Sequence, residues 1–104
     1  MARFDVYANP DKSERGEIPY LLDVQNNHLL NLQTRVIIPL WSAELLEPRS
    51  ATLNPAFQVA GRMVAMDTAS LGAAPVQALK RPVAHLGDQQ FSIQNALDHL
   101  FGIY

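Results

Sequence analysis

The plainest hydrophobic pattern lies in the first half of the chain. Residues 20–24 read Tyr-Leu-Leu-Asp-Val, an apolar run broken by one carboxylate, and residues 35–40 read Arg-Val-Ile-Ile-Pro-Leu. Val36-Ile37-Ile38 is the most β-branched run, and its lack of alternation predicts a strand covered on both faces. Pro39 cannot donate to a sheet ladder, so that strand is expected to end, bulge or lie at an edge there. Upstream, Phe4 and Val6 alternate with Asp5 and Tyr7, which predicts a first strand over 3–8. Downstream, 53–59, 62–66 and 76–79 read as further short strands, with Gly61 marking a turn or bulge. Five or six short strands at tight spacing predict a small barrel or sandwich.

Between these runs, the polar and turn-rich segment 9–17 predicts a mobile loop. Residues 67–72 also read as a loop, and 80–82 as a turn. Residues 41–46 predict a helical turn or a loop with buried leucines. The connection 26–33 is not wholly polar: Leu29, Leu30 and Leu32 must pack or form an apolar patch for a partner. After residue 87 the period changes. Ile93, Ala96, Leu97, Leu100 and Phe101 follow i, i+3, i+4, i+7, i+8, the spacing of one apolar helical stripe. This predicts a helix over 88–101, N-capped by Gly87 or Asp88 and stopped at Gly102. Ile103 and Tyr104 then form an apolar tail that either packs back on the core or serves a partner.

Composition narrows the function classes. At 104 residues the chain is read as one domain, 1–104, and 48% hydrophobic residues argue against disorder. A chain this short is marginal alone, and association is a common remedy. The net charge is −2, with eight scattered basic residues, so there is no electrostatic footprint for nucleic acid or an anionic membrane. The absence of cysteine removes disulfides and thiolate metal sites. No signal-peptide core and no bilayer-spanning run occur, so a soluble cytoplasmic protein is the expectation.

Candidate chemistry is sparse. His28, His85 and His99 lack the spacing of a zinc site, and no phosphate loop or nucleophile elbow occurs. Asp23, flanked by apolar residues, would be costly to bury unpaired; a structural contact with Arg35 or with loop amides is expected. Met63 and Met66 read as core filling, and Trp41 as a partly buried anchor.

Several segments together resemble one family. Arg-Phe-Asp-Val-Tyr at 3–7, Leu-Asp-Val-Gln-Asn at 22–26, Thr-Arg-Val-Ile-Ile-Pro-Leu at 34–40 and Met-Asp-Thr-Ala-Ser at 66–70 are similar to segments of the CcdB toxins. The final helix and its Gly-Ile ending fit as well, and the resemblance runs in order over nearly the whole chain. It implies a mainly β fold, an SH3-like small barrel of antiparallel sheets with one C-terminal α-helix, assembled as a homodimer. It also implies a toxin of a type II toxin–antitoxin module, the kind used in plasmid maintenance. Such a toxin binds the DNA gyrase A subunit and traps its cleaved-DNA complex, with no covalent chemistry, cofactor or metal of its own. A cognate antitoxin with a largely disordered C-terminal region neutralises it. The pair co-represses the operon, so transcription is regulated and DNA is met only through the complex. That antitoxin could dock along the charged segment 9–17 and the region 41–49.

The gyrase-binding residues implied by the resemblance are Leu29, Phe101, Gly102, Ile103 and Tyr104. Two alignments of the tail are possible. One matches Gly-Ile and drops a helical residue; the other keeps the helix in phase and shifts the tail by one. The second avoids rotating the apolar stripe by about 100°. A loop position usually aliphatic in the family holds His28, while Leu29 keeps the apolar character. Two alternatives stand beside this reading. An endoribonuclease toxin of the same fold would recruit Arg35, Arg62 and a carboxylate such as Asp23. A non-toxic CcdB-like binding protein would keep the fold alone.

Overall fold

The computed structural model describes residues 1–29, 31–47 and 50–102. Its centre is the β-branched run the sequence marks. There β2 (Tyr20–Asp23) pairs antiparallel with β3 (Thr34–Ser42), setting Leu22 opposite Ile38. On the other side of β2 lies β1 (Asp5–Ala8), with Val6 opposite Leu22. The far edge of β3 is shared by two strands. Its first half pairs with β6 (Gly72–Pro75) and its second half with β5 (Arg62–Met66), which continues to β4 (Ala56–Val59). A two-residue strand, β7 (Ala84–His85), closes on β1. All pairings are antiparallel, giving the order β4-β5-β3-β2-β1-β7 with β6 beside β3.

The sheet curls until its two ends share one interior. Phe57 and Val59 of β4 bury in the same cluster as Val6, Leu22, Ile38, Leu40 and Met66, together with Phe4 and Leu86. The result is a mostly β, nearly closed barrel. Helix α1 (Gln90–Phe101) plugs it with Ile93 and Ala96, both without solvent contact. The opposite face of the sheet carries a smaller core of Tyr7, Leu21, Ile37, Ala74 and Leu79. Two covered faces explain why β3 needs an unbroken apolar run.

Several expectations are corrected. The first strand begins at Asp5 rather than residue 3, because Phe4 adopts a left-handed φ of 75° and turns its ring into the core. β3 runs through Pro39 to Ser42. The Pro39 carbonyl faces β5 and β6, where the Asp67 amide reaches it at 3.0 Å, so the missing N–H falls between those two partners and costs no rung. The strand expected at 76–79 is a 3-10 turn, Val76–Ala78, and the strand lies just before it in Gly72-Ala73-Ala74-Pro75. These small residues have little β preference; pairing with β3 imposes the conformation. Segment 9–17 is tied down: buried Asn9 donates to the Ile18 carbonyl at 2.9 Å, and Asp11 caps a 3-10 turn at Lys12–Glu14.

Other expected details also differ. Leu45 is half-exposed in the 3-10 turn Ala43–Leu45, and Met63 is exposed while Met66 is buried. The helix starts at Gln90, preceded by a 3-10 turn at Gly87–Gln89; Gln89 rather than Gly87 or Asp88 stands at its N-cap, without a side-chain cap bond. Phe101, placed on the apolar stripe by spacing, is 67% exposed.

Candidate functional site

The docking residues implied by the sequence fall on two segments. The first is the end of α1. Gly102 takes φ 68° and donates its amide to the Asp98 carbonyl at 2.8 Å. A left-handed residue closes a helix by satisfying late carbonyls, and glycine adopts it without a Cβ penalty. Phe101 stands just before this turn with its ring in solvent. Ile103 and Tyr104 lie outside the described residues. His99, on the same turn, is exposed.

The second segment is the loop after β2. Leu29 is 49% exposed there, as is its neighbour Leu32 at 52%, so the loop keeps apolar surface in water. Leu30 lies outside the described residues. A turn closes the loop: the Leu29 amide reaches the Asn26 carbonyl at 3.0 Å, and the His28 amide reaches Asn26 Oδ1 at 2.9 Å. Gln25 holds it from below. Its Nε2 donates to the Leu29 carbonyl at 3.1 Å, and its Oε1 accepts the Val36 amide at 3.0 Å. The Gln25 amide in turn donates to Asp23 Oδ1 at 3.0 Å. Asp23 is fully buried and is gripped by Arg35. The Asp23–Arg35 contact expected from the flanking apolar residues is therefore present, and it roots the loop.

Arg3 touches both segments. Its amide donates to Asn27 Oδ1 at 2.6 Å, and its Nη2 donates to Gln94 Oε1 at 2.8 Å. Gln94 passes a hydrogen bond to Asp98 Oδ1 at 3.0 Å, one helical turn on. The Arg3 guanidinium lies 4.8 Å over the Phe4 ring. Gln94 and Asp98 stand at i, i+4, a spacing that sets two side chains side by side on a helix. Nothing in the sequence marked Arg3, whose partners are 24 and 91 residues away. Sequence reading also missed Phe91, in the first turn of α1, whose side chain is 79% exposed.

Among the described residues no group of three or more His, Cys, Asp or Glu could hold a metal. His85 Nδ1 lies 2.9 Å from Asp5 Oδ1 between β7 and β1, with the imidazole exposed and the carboxylate mostly buried. The Tyr7 hydroxyl is pushed up to about 12, first by burial and then by the Asp5 and Asp23 carboxylates, with Arg35 opposing. It is buried and makes no hydrogen bond of normal geometry. The Ser13 hydroxyl and amide hold Asp11 below the usual carboxylate range. Asp23 and Arg35 satisfy each other out of solvent. Arg62 instead bonds the Ser42 hydroxyl and, at 3.4 Å, the Gly16 carbonyl.

An open groove of about 330 Å³ crosses the outer face of the sheet. It is lined by Ile18, Leu21, Ile37 and Pro39, together with Asp11 and Glu14 from the charged segment. Trp41, at the far side of β3, is partly buried and donates Nε1 to Asp67 at 3.1 Å. Among the described residues no helix is long and apolar enough to cross a membrane.

A family model described as CcdB protein matches residues 3–102. No match was found among curated proteins.

Proposed function

This chain belongs to the CcdB family, whose match covers all but two residues at each end, and on that premise we propose that it is the toxin of a type II toxin–antitoxin module, binding the DNA gyrase A subunit and trapping its cleaved-DNA complex. The observation that carries this reading is Phe101, an aromatic ring left in water at a helix end closed by a left-handed glycine. A rigid aromatic anchor with little rotamer freedom to lose is the kind of side chain that dominates an interface. In a homodimer two such ends would form a symmetric surface for a symmetric partner. Leu29 adds apolar area from the second segment, and Ile103 and Tyr104 would extend the first.

The protein acts by binding and not by catalysis, in the cytoplasm where gyrase works. An antitoxin segment would lie in the groove lined partly by the charged segment 9–17, with apolar side chains against Ile18, Leu21 and Ile37. The paired toxin and antitoxin would repress their own operon. The endoribonuclease alternative would recruit Arg35, Arg62 and a carboxylate such as Asp23; Arg35 and Asp23 are sealed from solvent in their mutual pair, which leaves Arg62 as the exposed member of that set.

The test is a gyrase cleavage assay with purified protein. Accumulation of cleaved DNA in complex with gyrase is expected, and capture of the A subunit in a pull-down. Absence of both overturns the reading, and degradation of RNA would replace it with the nuclease. Light scattering should give twice the 11.5 kDa of one chain. Exchange of Ile103 and Tyr104 together should abolish killing and leave the dimer.

A further inference from the structure

We propose that Arg3 is the positioning residue that holds the two halves of the docking face, the Leu29 loop and the end of α1, in one arrangement. The proposal rests on the gyrase reading above. Among the described residues, no hydrogen bond runs directly from the 26–29 loop to α1; the link passes through Arg3. Its amide fixes the loop through Asn27. Its guanidinium fixes the helix through Gln94, and Gln94 carries the contact to Asp98, whose carbonyl receives the Gly102 amide. A chain of four residues thus connects the loop to the turn where the docking end begins.

Arg3 is itself held at a cost. Phe4 takes a φ of 75°, which a bulky residue adopts only under constraint, and it is locked there by two hydrogen bonds. Its amide donates to the Asp23 carbonyl at 2.7 Å, and its carbonyl accepts the Leu86 amide at 2.8 Å. Arg3 Nε is buried with no hydrogen-bond partner. A strained backbone next to an unsatisfied donor persists only where the surroundings over-determine it. What this arrangement delivers is a guanidinium stacked on Phe4 and aimed at the helix. A partner that must contact both segments binds tighter when their relative position is fixed beforehand, because less ordering is left to the binding step.

The experiment measures affinity of the full-length protein for the gyrase A subunit, well below the melting temperature of every variant. Arg3→Met keeps the aliphatic stem and removes the guanidinium; it should weaken binding about tenfold. Gln94→Glu keeps an acceptor for Arg3 but removes the donor to Asp98, and should also weaken binding. Adding Asp98→Asn supplies an amide that can donate to the new carboxylate, and should restore affinity. Rescue of this kind separates positioning from general loss of structure. If Arg3→Met fails to fold, the two Gln94 variants decide the matter alone. Wild-type protein that does not bind gyrase overturns the functional reading and this inference together. Wild-type protein that binds, with Arg3→Met binding equally well or Asp98→Asn giving no rescue, overturns the inference only.

Discussion

The Arg35 guanidinium grips the Asp23 carboxylate in a bidentate pair, Nε to Oδ2 at 2.7 Å and Nη2 to Oδ1 at 3.0 Å, where neither side chain reaches solvent. Nη2 also reaches the Gln25 carbonyl at 3.3 Å. Breaking such a pair leaves an uncompensated buried charge. Asp23→Ala should therefore cost about 3–5 kcal/mol in urea unfolding. Replacing both partners by apolar residues, Asp23→Leu with Arg35→Met, should cost much less, since no charge is then stranded. Equal losses in the single and double variants would contradict this account.

Tyr7 makes stability depend on alkaline pH. The unfolded group ionises at 10.0 and burial pushes the folded one up to about 12. Below the lower value both states keep the proton and its contribution is fully present. As pH rises through this window the unfolded chain loses its proton first, so stability falls. Tyr7→Phe should remove that part of the decline, measured as urea midpoints between about pH 9 and about pH 12. At neutral pH the same change should be nearly neutral, because the hydroxyl makes no normal hydrogen bond to lose.

The hairpin between β4 and β5 carries an avoidable strain. Val59 and Arg62 pair across a two-residue loop in which Ala60 has φ 51° and Gly61 φ 80°. Both central residues are left-handed, as a type I′ turn requires, and alanine there costs about 1–2 kcal/mol. Ala60→Asn should stabilise by about 0.5–1 kcal/mol and raise Tm by a few degrees in calorimetry. A lower Tm would show that the turn is not the source of strain.

The exposed helix end should separate function from stability. Phe101→Ala should change unfolding free energy by no more than about 0.5 kcal/mol. Gyrase affinity should fall about thirtyfold or more, the loss expected of a central aromatic anchor. Ile93→Ala, on the buried side of the same helix, should do the reverse in character, costing about 2–5 kcal/mol of stability through a cavity under α1.

Much of the architecture was legible because it is local. Val36-Ile37-Ile38 announced a strand buried on two sides, Arg62–Met66 appears as read, and the 3.6-residue period announced the C-terminal helix with its glycine stop. The misses turn on tertiary context. Gly72–Pro75 and Ala84–His85 lack strand character of their own and become strands by pairing with neighbours far along the chain. Pro39 looked like a terminator, yet the partner strand changes at that point. Phe101 satisfied the helical spacing, yet its ring stays in solvent.

By itself, the order of residues determined the β-rich class, the closing helix, the family and the need for Asp23 to find a partner. Each follows from neighbours in the chain or from a burial cost that holds in any fold. Tertiary structure alone decided which faces stay wet, that Asn27 and Gln94 meet through Arg3, and that Phe4 turns left-handed beside it. Those relations join positions tens of residues apart, and chain pattern carries no record of distance until the sheet has closed.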